Sequence, residues 1–265
     1  MASLLGVPGW LLLQARLFFT ALQFYTRLPI PAWVGYDAEW VAASIRYFPS
    51  IGLLVGAVSA VVYFVAALFL PGALAVLLSM AAGIFLTGAL HEDGFADACD
   101  GFGGGYTPDQ IMTIMSDSRI GAFGAIGIGL LLSIKCVGLA SLPAAWVPVA
   151  LIAGHALSRL APTALVWRLT YVKLQGKAKL ASRPMSGMVF AAASIPPFAA
   201  LAYAIARELL PPAGVLVALV AMVGATLWLA RMFYRRLGGY TGDCLGAVQQ
   251  VSEAMFYLML VASRN

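Results

Sequence analysis

The chain has 265 residues, of which 62% are hydrophobic and 10% charged, with a formal net charge of +5 and a mean hydropathy of +0.92. Soluble domains carry roughly 25% charged residues, so this composition excludes a soluble globular protein and indicates a polytopic, all-α membrane protein folded as one domain over residues 1–265. The apolar residues come in unbroken runs, whereas a membrane β-barrel needs alternating segments of about 10 residues, and the small excess of Arg and Lys fits the cytoplasmic ends of membrane spans better than nucleic-acid binding.

Candidate spans lie at 8–26, 51–70, 73–90, 121–140, 144–166, 187–206, 213–230 and 243–262. Each is near the roughly 20 residues that cross the hydrocarbon. The count is seven to eight transmembrane helices, because the first run carries Gln14, Arg16 and Gln23 and could lie along the interface instead. It also lacks a small-residue cleavage site, so a cleaved signal peptide is not expected. The last run contains "QQVSE" (249–253), which predicts a bundle-facing or partly interfacial helix.

Between the first two spans, "TRLPIP" (26–31) and "RYFPSIG" (46–52) place prolines where they fix the backbone at a span end. Arg27 and Arg46 are candidate anion contacts there, with interfacial anchoring the alternative.

The third run leads into "HEDGFADACDGFGGG" (91–105). The whole chain has 11 Asp and Glu, and six of them (Glu92, Asp93, Asp97, Asp100, Asp109 and Asp117) fall between positions 92 and 117. Asp93, Asp97 and Asp100 are spaced i, i+4, i+7, which puts them within about 60° of one helical face. Like charges on one face repel, and charge near a membrane core is costly, up to about 3 kcal/mol each. Something must offset that cost. Oxygen-only ligands select Mg²⁺, Mn²⁺ or Ca²⁺, and the lack of paired His and Cys argues against zinc. A solvated acidic loop is the alternative. Gly101, Gly103 and Gly104 follow at once, and glycines allow close backbone approach and offer N–H groups to anions. A metal held by few carboxylates leaves room for substrate phosphates, so acids, glycines and membrane together suggest phosphoryl or nucleotidyl transfer. His91 precedes the acids and reads either as a hydrogen-bonded structural group or as a site residue.

"TPDQIMTIMSDS" (107–118) predicts a short interfacial helix with Thr107 as N-cap, Pro108 at its first position and Asp109 at its positive end. In "SDSRIG" (116–121), Asp117 could complete a metal shell and Arg119 could grip a phosphate, or the two could form a helix-end ion pair. Lys135 and Arg159 lie inside apolar runs, where cations usually face the bundle interior. They could balance the acids or hold a substrate phosphate, and Arg159 could also snorkel. His155 reads as core. In "GGYTGDCLGA" (238–247), Asp243 could be a metal ligand, a general base or a helix cap aided by Thr241. Cys99, Cys136 and Cys244 have no CxxC spacing and read as packing residues.

Orientation follows from the basic segments 167–186 (Arg168, Lys173, Lys177, Lys179, Arg183) and 231–242 (Arg231, Arg235, Arg236), both expected in the cytoplasm. Counting back puts 27–50 and 91–120 on the same side as long cytoplasmic loops, with only "PG", "LPA" and "RELLPP" opposite. The active site should therefore face the cytoplasm. Eight spans would leave both termini outside; seven would keep the N-terminus inside or at the interface.

The segments "FYTRLPIP", "RYFPSIGLLVG", "LTGALHEDGFADACDGFGGG", "IMSDSRIGAFG", "ALSRLAPT" and "GGYTGDCLGA" together resemble the cobalamin synthase family, adenosylcobinamide-GDP ribazoletransferase, over about residues 19–250. The DGxADxxDG core and DSRIG are the most specific parts. The resemblance implies a Mg²⁺-dependent enzyme of the bacterial inner membrane. Such an enzyme joins adenosylcobinamide-GDP to α-ribazole or its 5′-phosphate at the cytoplasmic face and releases GMP. Carried over residue by residue, it implies Asp93, Asp97 and Asp100 as metal ligands, Asp117 and Asp243 as completing ligands or a base, and Arg119 as a phosphate contact. In an in-line displacement, Lys135 could join Arg119 in neutralising charge on the leaving GMP. Glu92 receives no role, since "HEDG" departs from the family pattern. Expected partners are the two substrates and the bilayer, with a second copy of the chain and other late corrinoid enzymes as further candidates and no nucleic acid. Two rivals are a CDP-alcohol phosphotransferase, whose DGxxAR signature this stretch lacks, with Asp97 and no Arg in it, and a cation transporter, which would place its charges at the midplane with repeat symmetry.

Overall fold

The computed structural model describes residues 9–172 and 185–264. Eleven α-helices follow one another among these residues: α1 (Gly9–Tyr25), α2 (Ala38–Ser44), α3 (Phe48–Ala67), α4 (Gly72–Thr87), α5 (Leu90–Gly104), α6 (Pro108–Met115), α7 (Ala122–Ala140), α8 (Val147–Arg168), α9 (Gly187–Ala206), α10 (Pro212–Leu237) and α11 (Gly242–Ala262). The one β feature among them is an isolated parallel bridge between Tyr171 and Tyr240. The fold is all-α, as the unbroken apolar runs require.

Six stretches are long and apolar enough to cross a membrane: Ala38–Ala67, α7, α8, α9, α10 and α11. The pair α4 and α5 meets the same measure only when joined across its bend, which brings the number to at most seven among the described residues. The protein is therefore a multi-pass membrane protein. The eighth expected span corresponds to α1, whose 17 residues cover roughly 26 Å of a hydrocarbon core about 30 Å thick.

The largest departure from the expected layout is at the third span. The apolar run 73–90 does not continue straight: α4 stops at Thr87 and α5 leaves at 89°. Gly88 (φ 69°) and Ala89 (φ 59°) both take the left-handed conformation, which ends a helix because it turns the backbone away from the ladder. Ala89 N–H reaches back to the Ile84 carbonyl at 2.9 Å, so the freed carbonyls of α4 are met. The chain in front of α3 supplies another partner, with Arg27 N–H donating to Leu86 O at 2.8 Å. An added Cβ at Gly88 would sit 2.6 Å from Arg27 Nε, so this corner needs glycine for its conformation and for its space. The acids of 91–105 are thus not a loop beyond the membrane. They ride on a helix that packs against α7 and α11.

α11 is the axis of the bundle, packing on α5, α7, α8 and α10. Among the described residues, α3 and α8 form the most extensively packed helix pair. Gly52 and Gly56 let them approach: a Cβ on Gly52 would come within 2.4 Å of His155 O, and one on Gly56 within 2.6 Å of Ile152 Cα. Lipid tails are as apolar as leucine, so such small-residue contacts and internal polar bonds hold membrane helices together in place of a hydrophobic driving force. Large side chains such as Phe64, Phe85, Ile126 and Val220 point outward, as a lipid-facing surface requires.

The other boundaries hold two further corrections. α10 runs to Leu237, beyond the expected end at 230, so Arg231, Arg235 and Arg236 lie on its last turns and not in a loop. Arg168 closes α8, while Lys173, Lys177, Lys179 and Arg183 of the same basic segment lie outside the described residues. α6 forms as expected, with a capping box in which Thr107 Oγ1 accepts from Gln110 N–H.

Candidate active site

α5 presents its three aspartates to three different surroundings. Asp93 is exposed, Asp97 half-buried and Asp100 buried. Asp100 is fully engaged by protein: its two oxygens accept from Gly121 N–H at 2.7 Å and Gly124 N–H at 2.8 Å. These are the first amides of α7, which no helical carbonyl can satisfy, and the positive end of a helix favours a carboxylate. Asp100 thus caps α7 from a neighbouring helix. Gly121 is also the glycine of "SDSRIG", so this bond ties the acidic helix to the Asp117–Arg119 loop.

The glycines after Asp100 serve packing. A Cβ on Gly101 would meet Met115 Cγ at 2.6 Å, on Gly103 it would meet Phe123 Cγ at 2.7 Å, and on Gly104 Ile114 Cδ1 at 3.4 Å. They seat α6 and the start of α7 against α5. Arg236, at the end of α10, clamps the same corner by donating to Gly105 O at 2.6 Å.

Asp93 and Asp243 line one cavity of about 270 Å³. They arrive there from different helices. α5 and α11 touch at glycines, Gly94 lying where an added Cβ would be 3.1 Å from Asp243 Cα, and Gly246 where one would be 3.0 Å from His91 O. Thr241, not Asp243, is the N-cap of α11, accepting from Cys244 N–H at 3.3 Å. Asp243 occupies the first turn and accepts from Thr241 Oγ1 at 3.5 Å. Tyr171 and Tyr240 close another side of the cavity. Val172 N–H donates to Tyr240 O, and Tyr240 N–H to Thr170 O, each at 3.0 Å. Burial, reinforced by Tyr171, pushes the Tyr240 phenol up to about 12; burial and then Asp243 raise Tyr171. Both stay protonated at neutral pH.

Asp117 and Arg119 form an ion pair on the loop before α7. Arg119 Nη2 lies 2.6 Å from Asp117 Oδ2, and Nε donates to Oδ1 at 3.0 Å. These side-chain bonds, with that from Arg119 N–H, hold the Asp117 carboxyl down at about 2. The Arg119 side chain is 85% exposed. The remaining arginines are dispersed. Arg27 braces the α4–α5 corner, stacked over Phe85 at 5.7 Å. Arg46 Nε donates to Ala43 O at 2.8 Å and lines a separate cavity with Glu39 and Trp40.

Lys135 and Arg159 belong to a buried polar network between the helices. Lys135 Nζ lies 2.7 Å from Glu253 Oε1 and donates to Gln250 Oε1 at 3.0 Å. Gln250 passes the connection on, donating to Glu92 Oε1 at 2.7 Å. Glu253 also accepts from Gln249 at 2.7 Å and Tyr257 at 3.2 Å, and His155 Nδ1 is 3.4 Å away. Arg159 donates to His155 O at 2.9 Å, with its guanidinium 5.5 Å from the Phe48 ring. The ammonium of Lys135, read from sequence as a neutralising charge for the leaving nucleotide, is thus committed to Glu253. Reading the sequence assigned nothing to Glu92 or Glu253, although "QQVSE" in a span was a sign that its polar residues face the bundle.

Among the described residues, no three His, Cys, Asp or Glu side chains gather closely enough to hold a metal ion by themselves. The donors fit a different arrangement. Asp100 is given to the amides of α7 and Asp117 to Arg119, and Asp93 and Asp97 stand one turn apart on α5. Mg²⁺ is often held by one or two carboxylates with substrate phosphates and water completing its octahedron, and this pair suits that mode.

Comparison with known proteins bears on the whole chain. Residues 17–261 match the family model for cobalamin-5-phosphate synthase. An adenosylcobinamide-GDP ribazoletransferase of Leptothrix cholodnii is 45% identical over 92% of this chain and 94% of its own length. One of Shewanella frigidimarina is 40% identical over 97% and 98%, and one of Leptospira biflexa 35% identical over 94% and 96%. No solved structure matches. An all-α multi-pass fold, acids from α5 and α11 on one cavity, and a match over nearly the full length agree: the chain belongs to the cobalamin-5-phosphate synthase family.

Proposed function

We propose that the protein is an adenosylcobinamide-GDP ribazoletransferase. It joins adenosylcobinamide-GDP to α-ribazole, or to α-ribazole 5′-phosphate, giving adenosylcobalamin or its 5′-phosphate and GMP. The observation that carries this reading is the 45% identity to a ribazoletransferase across 92% of the chain.

The reaction is an in-line displacement. The ribazole hydroxyl oxygen bonds to the phosphorus next to the corrinoid, the bond from that phosphorus to the bridging oxygen breaks, and GMP leaves with that oxygen. Asp243, on the cavity that also holds Asp93, accepts the hydroxyl proton. Asp93 and Asp97 would hold Mg²⁺ together with the pyrophosphate. The ion, when bound, neutralises charge on the phosphate oxygens. Arg119 contacts the leaving phosphate, oriented by Asp117, and Asp100 keeps that loop against α5 through Gly121. Positioning and electrostatics supply most of the rate, as in other phosphoryl transfers. Lys135, Arg159, Arg27 and Arg46 receive no step, since their heads serve the bundle or its corners.

The site belongs at the cytoplasmic face of a bacterial inner membrane. Arg168 closes α8, and Arg235 and Arg236 lie in the last turn of α10. Arg236 reaches the end of α5, and the Tyr171–Tyr240 bridge brings the end of α8 to the start of α11. The arginines and the acids therefore share one end of the bundle, and Arg and Lys mark the cytoplasmic side.

The test uses purified protein in liposomes with adenosylcobinamide-GDP, α-ribazole and Mg²⁺, following GMP release and cobalamin formation. Wild type is expected to form product, and chelation by EDTA or Asp97→Asn at equal folded amount to stop it. A well-folded wild type that releases no GMP would overturn the reading.

A further inference from the structure

The cavity beside Asp93 and Asp243 has a wall the reaction above does not use. Tyr25, Phe48 and His91, from α1, α3 and α5, form a fan of stacked rings. Tyr25 and Phe48 have centroids 4.1 Å apart at 26°, and Phe48 and His91 have centroids 5.3 Å apart at 18°. All three line the cavity. The Arg159 guanidinium lies over the Phe48 ring at 5.5 Å, which holds the stack from behind. His91 is only 4% exposed, and its Nε2 is buried with no hydrogen-bond partner in the protein. Buried ring nitrogens are normally paired, and an orphan marks a place where something else supplies the bond.

We propose that this cavity is the subsite for the heteroaromatic base of the nucleoside substrate, stacked against the ring wall, with His91 as the positioning residue that hydrogen-bonds the unsubstituted ring nitrogen of the base. The inference rests on the transferase reading and goes beyond it by saying which substrate part sits where.

Three observations select this occupant. The volume of about 270 Å³ admits a bicyclic ring but not a corrin macrocycle. The walls are otherwise largely apolar, with Val41, Ala42, Ile45 and Val166 among them. A guanine edge would leave several donors and acceptors unmatched there, whereas a benzimidazole-type base has one free nitrogen and the wall has one free ring nitrogen. Among the described residues, the charged side chains on the cavity are the carboxylates of Asp93 and Asp243. Asp243 suits a neutral nucleoside whose sugar hydroxyl points at it, and Asp93 is left to the metal-held pyrophosphate of the other substrate. The base in the cavity and the hydroxyl at its mouth place the nucleophile where the proton acceptor stands.

The full chain in nanodiscs tests this by calorimetric binding of three probes: α-ribazole, its indole analogue lacking the free ring nitrogen, and adenosylcobinamide-GDP. Wild type is expected to bind α-ribazole at least about tenfold more tightly than the indole analogue. His91→Leu should erase that ratio and leave adenosylcobinamide-GDP affinity unchanged. Ala42→Phe, which fills the cavity from the short α2, should weaken both nucleosides by about tenfold or more, again sparing the corrinoid; this variant decides the matter if His91→Leu does not fold. A preserved ratio in His91→Leu, or nucleoside binding untouched by Ala42→Phe, in an enzyme that still releases GMP overturns the subsite alone. A wild type that binds neither nucleoside and releases no GMP overturns the subsite together with the transferase reading.

Discussion

Asp100 on α5 accepts the N–H of Gly124 on α7 at 2.8 Å, across 24 residues of sequence. Together with the bond from Gly121, this makes Asp100 a structural acid within a functional cluster. Asp100→Ala is expected to destabilise the protein by about 2 kcal/mol, the upper end for a lost helix cap. Thermal unfolding in detergent checks this, and a melting temperature equal to wild type would show that the cap carries no stability.

Asp93→Asn and Asp97→Asn should behave in the opposite way. Asp93 is exposed, so Asp93→Asn should not move the melting temperature, while GMP release should fall by at least about a hundredfold in both variants at equal folded amount. Activity within about threefold of wild type in both variants would remove these carboxylates from the site.

The contact between Gly94 and Asp243 sets the spacing of α5 and α11. Gly94→Val would drive a side chain into a gap where even a Cβ lies 3.1 Å from Asp243 Cα. Moving Asp243 by about 1 Å is expected to cost on the order of a hundredfold in turnover. Gly224→Val, where an added Cβ meets open space, is the matched control and should keep full activity.

Lys135 and Glu253 pair at 2.7 Å, their side chains 5% and 2% exposed. Removing one partner leaves an uncompensated buried charge, so Lys135→Met should cost about 3 to 5 kcal/mol. Lys135→Met combined with Glu253→Gln should recover much of that loss. Chemical denaturation of the single and double variants measures the coupling; purely additive losses would show that the pair is not the reason for either charge.

The Asp117 carboxyl is held at about 2, against an ordinary 3.8, chiefly by the Arg119 side chain. A depressed carboxyl contributes its ion pair fully above the unfolded value and loses it only as pH falls through the folded one. Across roughly pH 5 to 9 the clasp is therefore constant. Asp117→Asn is expected to scale the rate of GMP release down without moving either limb of its pH profile. A displaced acid limb would mean that Asp117 titrates within the working range.

Much of this was legible in the chain. The run 187–206 predicts α9 at Gly187–Ala206 because an apolar stretch bounded by polar residues has one way to sit in lipid. The short α6 announces itself through Thr107, Pro108 and Asp109, whose capping roles are local. Local signals fail where partners are distant. Hydropathy sees an unbroken apolar run at 73–90 and cannot see Gly88 and Ala89 turning left-handed. Helical periodicity puts Asp93, Asp97 and Asp100 on one face, yet nothing in that spacing says that Asp100 meets amides more than twenty residues later. Lys135 stood out as a charge in a span; its partner Glu253 lies on the last helix and had no mark except the polar "QQVSE". The ring wall of Tyr25, Phe48 and His91 draws on three helices and has no linear pattern at all.

The bond between Gln250 and Glu92 spans 158 residues, and this has a consequence for how the protein is made. When α5 leaves the ribosome, α11 has not been synthesised. Glu92 then faces the membrane without Gln250, and Lys135 follows without Glu253. Charged groups in a bilayer need such partners, so α5 and α7 gain theirs only once α11 has joined the bundle. Chains cut short before α11 should therefore carry buried charges without their counter-groups, which makes the late helix the one that completes the polar interior.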